Sequence, residues 1–428
     1  MTLTQSLIEL IRNKPIDNSD REAAAMFTLD SVATAYAGSA TPTGAILLQW
    51  ARESDLDLKR KAMLLGALMH ITETDDLHRA SVTHPACVVI PVALVLGEHL
   101  GASGARVLDA ILHGYEAICR VGAAVGPEHY RIWHNTATCG PFGSAMAAAA
   151  LLELDDEQTL HALGNAGTQS SGFWEFMTTG AMSKHLHAGH AAETGWLAAE
   201  MAKFGFTGSP AILEGEKAMF AGMCPDPKPS EVLANATAPW QLHASSIKPW
   251  PSCRHTHPAI DCALELASQL QGDDIQSVTL RTYQAALDVC DRPQPDSEYQ
   301  AKFSLYHCIA VALLDGRVGL DSFDEGARKR TADLRAKITA QASDPFASSY
   351  PVAWGSGIEV TTGSGAVLST ERTHCKGDPE LALDETEMRT KAKGLLKFGG
   401  IDAASDPGLR GLCTTTKSSR LGQMRPSG

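Results

Sequence analysis

A long apolar run is the first thing missing from this 428-residue chain. The longest, residues 86–96, is too short to cross a bilayer and stops at Gly97-Glu98, so no membrane partner is expected. A basic excess is missing too, the formal net charge being −13. General nucleic-acid and membrane-surface binders need a basic face, and this balance argues against both. It leaves room for a local basic pocket inside an acidic shell. The first fifteen residues lack the basic flank, apolar stretch and small-residue cleavage site of a targeting segment, and a cytoplasmic location is expected.

Paired cysteines are absent. Ten cysteines are scattered singly, with no C-x-x-C, and Cys119, Cys262 and Cys308 sit in apolar helical text. That pattern reads as buried free thiols rather than a disulfide framework. Nor is there a G-x-G-x-x-G after a strand, a P-loop, an H-E-x-x-H or a G-x-S-x-G. Dinucleotide, ATP and serine-nucleophile chemistry therefore have no sequence support.

What is present is helical text, then a change of text. Apolar residues recur at helical spacing over 20–37, 59–71, 86–100, 103–125, 143–152, 157–170 and 189–204. Glycine and proline punctuate between them, as at Gly126-Pro127 and Gly140-Pro141. The alanine and glycine content of these segments predicts close helix packing. After Pro239, Pro249, Pro251 and Pro258 the pattern alternates between strands and helices. Strands are expected at 276–283, 336–342, 357–362 and 366–372, the last two joined through Gly363-Ser364-Gly365. Helices are expected at 256–270, 301–314 and 323–334, and a further one at 385–396 is expected to rejoin the first domain. The expected fold class is mainly α: an all-helical domain over 1–242 completed by 386–412, a smaller α+β domain over 243–385, and a disordered tail over 413–428.

Five segments concentrate ionisable residues. Glu73-Thr-Asp-Asp-Leu-His78 with Val82-Thr-His-Pro85 sets carboxylates beside imidazole. It suits a general-base pair or a metal half-site, and equally a solvated turn that caps the helix beginning at Ala86. His134 stands in a Thr/Asn/Gly-rich helix entry, where backbone N–H groups bind carboxylates, or is a satisfied structural histidine. Ser183-Lys-His-Leu-His-Ala-Gly-His190 puts Lys184 and His187 three apart, on one face if helical. Lys248, Arg254, His255 and His257 gather positive charge beside two prolines, as an anion site or a solvated basic loop. Zinc at Cys253 lacks a second cysteine at ligand spacing, and no metal is expected. Tyr306 and His307 open an apolar helix, where core packing is the plainer role for the tyrosine.

Taken in order, D-D-x-H-x-x-S-x-T-H-P, H-x-T-x-x-x-G-x-x-G, K-x-L-H-x-G-x-A-A, K-x-x-P-x-C-R-x-T-H and Q-A-K-F-S resemble the MmgE/PrpD family across nearly the whole chain. That family includes 2-methylcitrate dehydratase, cis-aconitate decarboxylase and iminodisuccinate epimerase. The resemblance implies a large helical domain and a smaller α+β lid with the active site in the cleft between them, a homodimer, and no cofactor. It places catalytic residues at His84, His134, Lys184 and Lys248. Asp75, Asp76, His187, Arg254 and His257 fall on segments that line the family's cleft, and His78 and Tyr306 are added as substrate contacts. The chain departs from the family pattern at Glu73, at Leu77, where a hydroxyl is lost, and at His307, which stands where a tyrosine is usual.

The chemistry implied moves a proton beside a carboxylate of a small polycarboxylate. Lys184, Lys248 and Arg254 would hold the resulting negative charge. His84 and His134, with His307 or His187, would exchange the proton. The losses at Leu77 and His307 point to epimerisation of an iminodisuccinate-type substrate. The alternative is a dehydratase or decarboxylase, and a second alternative is a polycarboxylate-binding protein without turnover.

Overall fold

The computed structural model describes residues 1–270 and 272–401. The chain clusters into two units. Of the described residues, the first holds Met1–Ile71, Asp75–Ser245 and 384–401; the second holds Thr72–Thr74 and Ser246–Leu383. The structure is mostly helical, with a small mixed sheet in the C-terminal part. Residues 402–428, which include the expected tail, lie outside the described residues. Among the described residues no helix is long and apolar enough to cross a membrane.

The first unit is built from helices, among them Asn18–Ser39, Leu58–Met69, Ala86–Leu100, Gly104–Ala124, Asn135–Leu151 and Ser183–Lys203. Asn135–Leu151 and Ser183–Lys203 lie close along their lengths because small residues line their contact. A Cβ added to Gly195 would fall 2.0 Å from Ser144 Oγ, and one added to Gly189 2.4 Å from the Met63 carbonyl oxygen. Ser144 Oγ also donates to the Ala191 carbonyl at 2.6 Å, tying the two backbones together. Helix Glu385–Phe398 packs on Asn18–Ser39, where Lys391 and Asp30 form a buried ion pair at 2.7 Å.

Two sequence expectations need correction here. The helix expected from Gly143 begins at Asn135, so Gly140-Pro141 lies inside it. A helix-internal proline costs about 3 kcal/mol, but nearly every residue of this helix is buried, and tertiary packing outweighs the local penalty. The helix expected from Gly189 begins at Ser183, which brings Lys184 and His187 onto a regular helix. Helices Leu3–Asn13 and Pro42–Glu53 were not anticipated; each opens on a threonine cap.

In the second unit a four-stranded sheet runs in the order Ile338–Ala342, Ile275–Thr282, Ser356–Thr362, Val367–Arg372. The first pair is parallel, with Val278 opposite Ile338, and the others antiparallel, with Val278 opposite Val360 and Ile358 opposite Thr370. Val278, Leu280, Ile358 and Val360 are buried. Helix His257–Ala267 covers the strands Ser356–Thr362 and Val367–Arg372.

Candidate active site

Helix Leu58–Met69 ends on His70, whose N–H turns back to the carbonyls of Ala67 and Leu68. The chain then winds through an irregular stretch before helix Ala86–Leu100 begins. Val82 in this stretch has φ +50°, and Glu73 φ +60°. Left-handed backbone at non-glycine residues costs about 1–3 kcal/mol each and marks places where geometry is held for function. The stretch is clamped to the start of helix Asn135–Leu151 by Asn135 Nδ2, which donates to the Ser81 carbonyl at 2.8 Å, and by Thr136 Oγ1, which accepts from His84 N at 3.0 Å.

These contacts bring four histidines together in the first unit. His70 Nδ1 donates to Asp75 Oδ2 at 2.5 Å, and His84 Nδ1 donates to the Asp76 carbonyl at 2.6 Å while lying 3.3 Å from Asp75 Oδ2. Because a carboxylate and a carbonyl only accept, both rings present an Nδ1–H to these partners, and His70, when neutral, keeps its lone pair on Nε2. The His70 ring lies 4.8 Å from that of His84, edge to face, and 5.6 Å from that of His134, nearly parallel at 15°. His134 caps helix Asn135–Leu151, its backbone N–H bonding the Gly172 carbonyl at 3.0 Å. His187 Nδ1 approaches His134 Nδ1 at 3.4 Å. Trp174 and Phe176 wall this side, with ring centres 4.9 and 6.3 Å from His134.

Burial decides the proton affinities. It is the largest cause pushing His70 down to about 3 and His187 down to about 4, and it holds His134 well below the usual imidazole range. The Lys184 cation pushes all three the same way. Asp75 opposes it at His70, without winning. His70, His134 and His187 are thus held as neutral imidazoles near the Lys184 charge, suited to take up a proton once an anion docks.

Asp76 behaves differently from Asp75. Burial, then the neighbouring Asp75, pushes its carboxyl up to about 8. Its Oδ1 accepts from Ala86 N at 3.1 Å and its Oδ2 from the Tyr115 hydroxyl at 2.8 Å. The helix-capping alternative raised for this segment therefore describes Asp76. His78, expected as a substrate contact, is buried, with Nδ1 2.8 Å from Ser81 Oγ. His70, Asp75 and His84 also place three donor atoms within 4.8 Å of one another. Ligands of a tetrahedral zinc at about 2.0–2.1 Å stand roughly 3.3 Å apart, so the 2.5 Å between His70 Nδ1 and Asp75 Oδ2 is a hydrogen-bond spacing.

The second unit holds the remaining expected residues. Lys248 is buried, with Nζ 3.3 Å from Glu73 Oε2. Arg254 Nη2 donates to both oxygens of Asp378, at 2.6 Å to Oδ2, and Asp378 also accepts from Ser246 Oγ at 2.7 Å. His257 Nε2 lies 3.3 Å from the Ser252 carbonyl. Tyr306 donates to Asp291 Oδ1 at 2.8 Å. His307 Nε2 donates to the Ser322 carbonyl at 2.8 Å and its Nδ1 meets Thr331 Oγ1 at 3.2 Å. Both nitrogens of His307 and the phenol of Tyr306 are thus engaged by neighbours.

Comparison with known proteins decides the family. Residues 5–232 match the MmgE/PrpD N-terminal domain and residues 250–405 the MmgE/PrpD C-terminal domain. The chain belongs to the MmgE/PrpD family. Among relatives, this MmgE/PrpD chain is similar to cis-aconitate decarboxylase from Aspergillus terreus, 27% identical over 366 residues that cover 76% of the chain and 74% of the relative. It is 26% identical to the human cis-aconitate decarboxylase over 347 residues, covering 77% and 71%. The mitochondrial 2-methylcitrate dehydratase of Yarrowia lipolytica is 26% identical over 284 residues, covering 61% and 53%.

Within this family member, sequence reasoning passed over His70. A lone histidine after an apolar helix carries no motif, and nothing in its spacing announces that it meets His134. His185 was named only as part of its segment; its Nδ1 donates to the His70 carbonyl at 3.0 Å and so fixes the helix end from below.

Proposed function

We propose that this MmgE/PrpD protein is a lyase acting on a small polycarboxylate, with decarboxylation of a cis-aconitate-type substrate as the first reading. The observation that carries it is the first unit's cluster of His70 and His84 on Asp75, with His134 against His70 and His187 against His134, and the Lys184 charge felt by three of the rings. A fixed cation stabilises the carbanion left when CO2 departs. An imidazole beside it supplies the proton that carbon must then receive. By motif, Lys248 is proposed as a further cation for a substrate carboxylate. The expected homodimer is proposed with it and is checked by light scattering.

Dehydration is the second reading, supported by the dehydratase relative. It asks for an acid at the departing hydroxide. Leu77 offers no hydroxyl and is buried, and Tyr306 is spent on Asp291. Loss of CO2 needs no such acid, which favours decarboxylation. The epimerase expectation draws no support from these relatives, whose names are those of a decarboxylase and a dehydratase.

The test is to incubate the purified chain with cis-aconitate and follow CO2 and the five-carbon unsaturated dicarboxylate by NMR, with 2-methylcitrate and iminodisuccinate in parallel. CO2 release supports the first reading, and water loss from 2-methylcitrate the second. Neither, together with deuterium uptake and configurational scrambling of iminodisuccinate in heavy water, overturns both in favour of the epimerase.

A further inference from the structure

His70 is the one histidine of the cluster that no expectation named, and its chemistry is the most constrained. Its side chain is wholly inaccessible to solvent. Asp75 fixes the proton on Nδ1. Among the described residues no protein group donates to Nε2, which is buried. A buried acceptor left without a donor costs about 1–3 kcal/mol, and such groups are normally satisfied. The ring is not loose: Asp75 holds one edge, His134 lies along one face, and the residue's own carbonyl receives His185. A second orphan lies nearby, since Trp174 Nε1 is a buried donor with no acceptor among the described residues and its ring is 4.9 Å from His134. An acceptor and a donor thus flank the same histidine, each lacking a protein partner. A carboxylate-bearing ligand with an exchangeable proton complements both.

We propose that His70 is a catalytic residue of this site: its Nε2 carries the proton that reaches the substrate carbon, and Asp75 sets its tautomer. The assignment rests on the lyase reading above. In the decarboxylation, the bond from carbon to CO2 breaks and its electron pair shifts through the adjacent alkene. His70 takes up one proton on Nε2 as the anionic substrate docks, the far carbon of that alkene then receives it, and the ring returns to its neutral Nδ1–H form, so one proton is consumed for each CO2 released. In the dehydration, the same nitrogen takes the proton from carbon, the C–H pair becomes the new double bond, and hydroxide leaves as water once protonated. An aspartate that orients an imidazole through Nδ1 while Nε2 does the transfer is a recurrent device for positioned acid–base catalysis.

The decisive variant is His70→Asn, whose amide replaces the Nδ1 donor to Asp75 but has nothing at the Nε2 position. Expected are a fall in kcat of about 100-fold or more, the range for loss of a positioned acid or base, and retained competitive inhibition by tricarballylate, a saturated tricarboxylate. A second variant, His70→Gly, leaves an imidazole-sized space at a helix end that tolerates glycine. Added imidazole should restore turnover in it, and 4-methylimidazole should change the pH dependence of the restored rate; a structural role for the ring would move neither. If the wild-type chain turns over and His70→Asn keeps kcat within about threefold, the transfer role is overturned and the lyase reading stands. If His70→Asn is slow but His70→Gly gains nothing from imidazole, His70 is not the proton carrier. A wild-type chain inactive on both cis-aconitate and 2-methylcitrate overturns the lyase reading and this assignment with it.

Discussion

His70 donates through Nδ1 to Asp75 Oδ2 at 2.5 Å, and the carboxylate that receives this bond also stands 3.3 Å from His84 Nδ1. One buried carboxylate therefore faces two imidazoles, and removing its charge should disturb both. In Asp75→Asn the amide can donate as well as accept, so the Nδ1–H tautomer of His70 is no longer enforced. Expected is a loss of about 10- to 1,000-fold in kcat with a smaller change in KM. Steady-state assays with cis-aconitate check it, and 15N NMR of labelled histidine should show mixed tautomers.

Replacing Lys184 by methionine removes the cation that pushes His70, His134 and His187 down. The sign follows directly: without it these rings take up protons more readily. The acid limb of kcat/KM should move to higher pH, and KM for a tricarboxylate should rise by about 10- to 100-fold, the scale of a lost charge-assisted contact. A pH series of kcat and KM separates the two effects.

Stability should fall as the solution becomes acid. Burial pushes His70 and His255 down to about 3, and His78, His113, His187 and His307 down to about 4. Each lies below its unfolded value of 6.5, so unfolding takes up protons and the folded state weakens as pH drops from 6.5 toward 4. Asp76, raised from 3.8 to about 8, has the opposite sign and favours the fold at acid pH. Six histidines against this carboxyl give a net loss of stability on acidification. Thermal melts between pH 7 and pH 4 check it; a flat profile would contradict the burial of neutral imidazoles.

Gly172 links the geometry of two site histidines. Its φ is +113°, its carbonyl receives His134 N at 3.0 Å, and an added Cβ would meet Ala137 Cβ at 2.5 Å and His187 Nδ1 at 3.2 Å. Gly172→Ala should cost about 1–3 kcal/mol through backbone strain. Because the clash falls on the segment that seats His134 and His187, it should also lower kcat, measured well below the melting temperature so that unfolding makes no contribution.

Much of this was legible in residue patterns. The helices 20–37, 86–100 and 103–125 and the strand 276–283 were readable because each carries one clear period, and the observed elements run Asn18–Ser39, Ala86–Leu100, Gly104–Ala124 and Ile275–Thr282. The pattern misled at Gly140-Pro141, where burial of the whole helix overrides a local breaker. The motifs drew attention to His84, His134, Lys184 and His187, which the first unit brings near His70. They equally drew attention to His78, Tyr306 and His307, whose polar atoms turn out to be engaged by neighbours. A motif reports residue types at a spacing, and it holds no information about which neighbour claims each hydrogen-bonding group.

By itself the sequence determined the family, the order of the helices and strands, and the residue types available for proton transfer, because period and motif are local properties of the chain. Only the tertiary structure decided that Asp75 orients imidazoles while Asp76, its carboxyl pushed up by burial, accepts from Tyr115, since the two carboxyls are adjacent in sequence and differ only in what surrounds them. It alone brought His70, from the end of helix Leu58–Met69, against His134. The reason is physical: desolvation and hydrogen-bond partnership depend on what packs around a side chain, and packing joins residues that the sequence keeps apart.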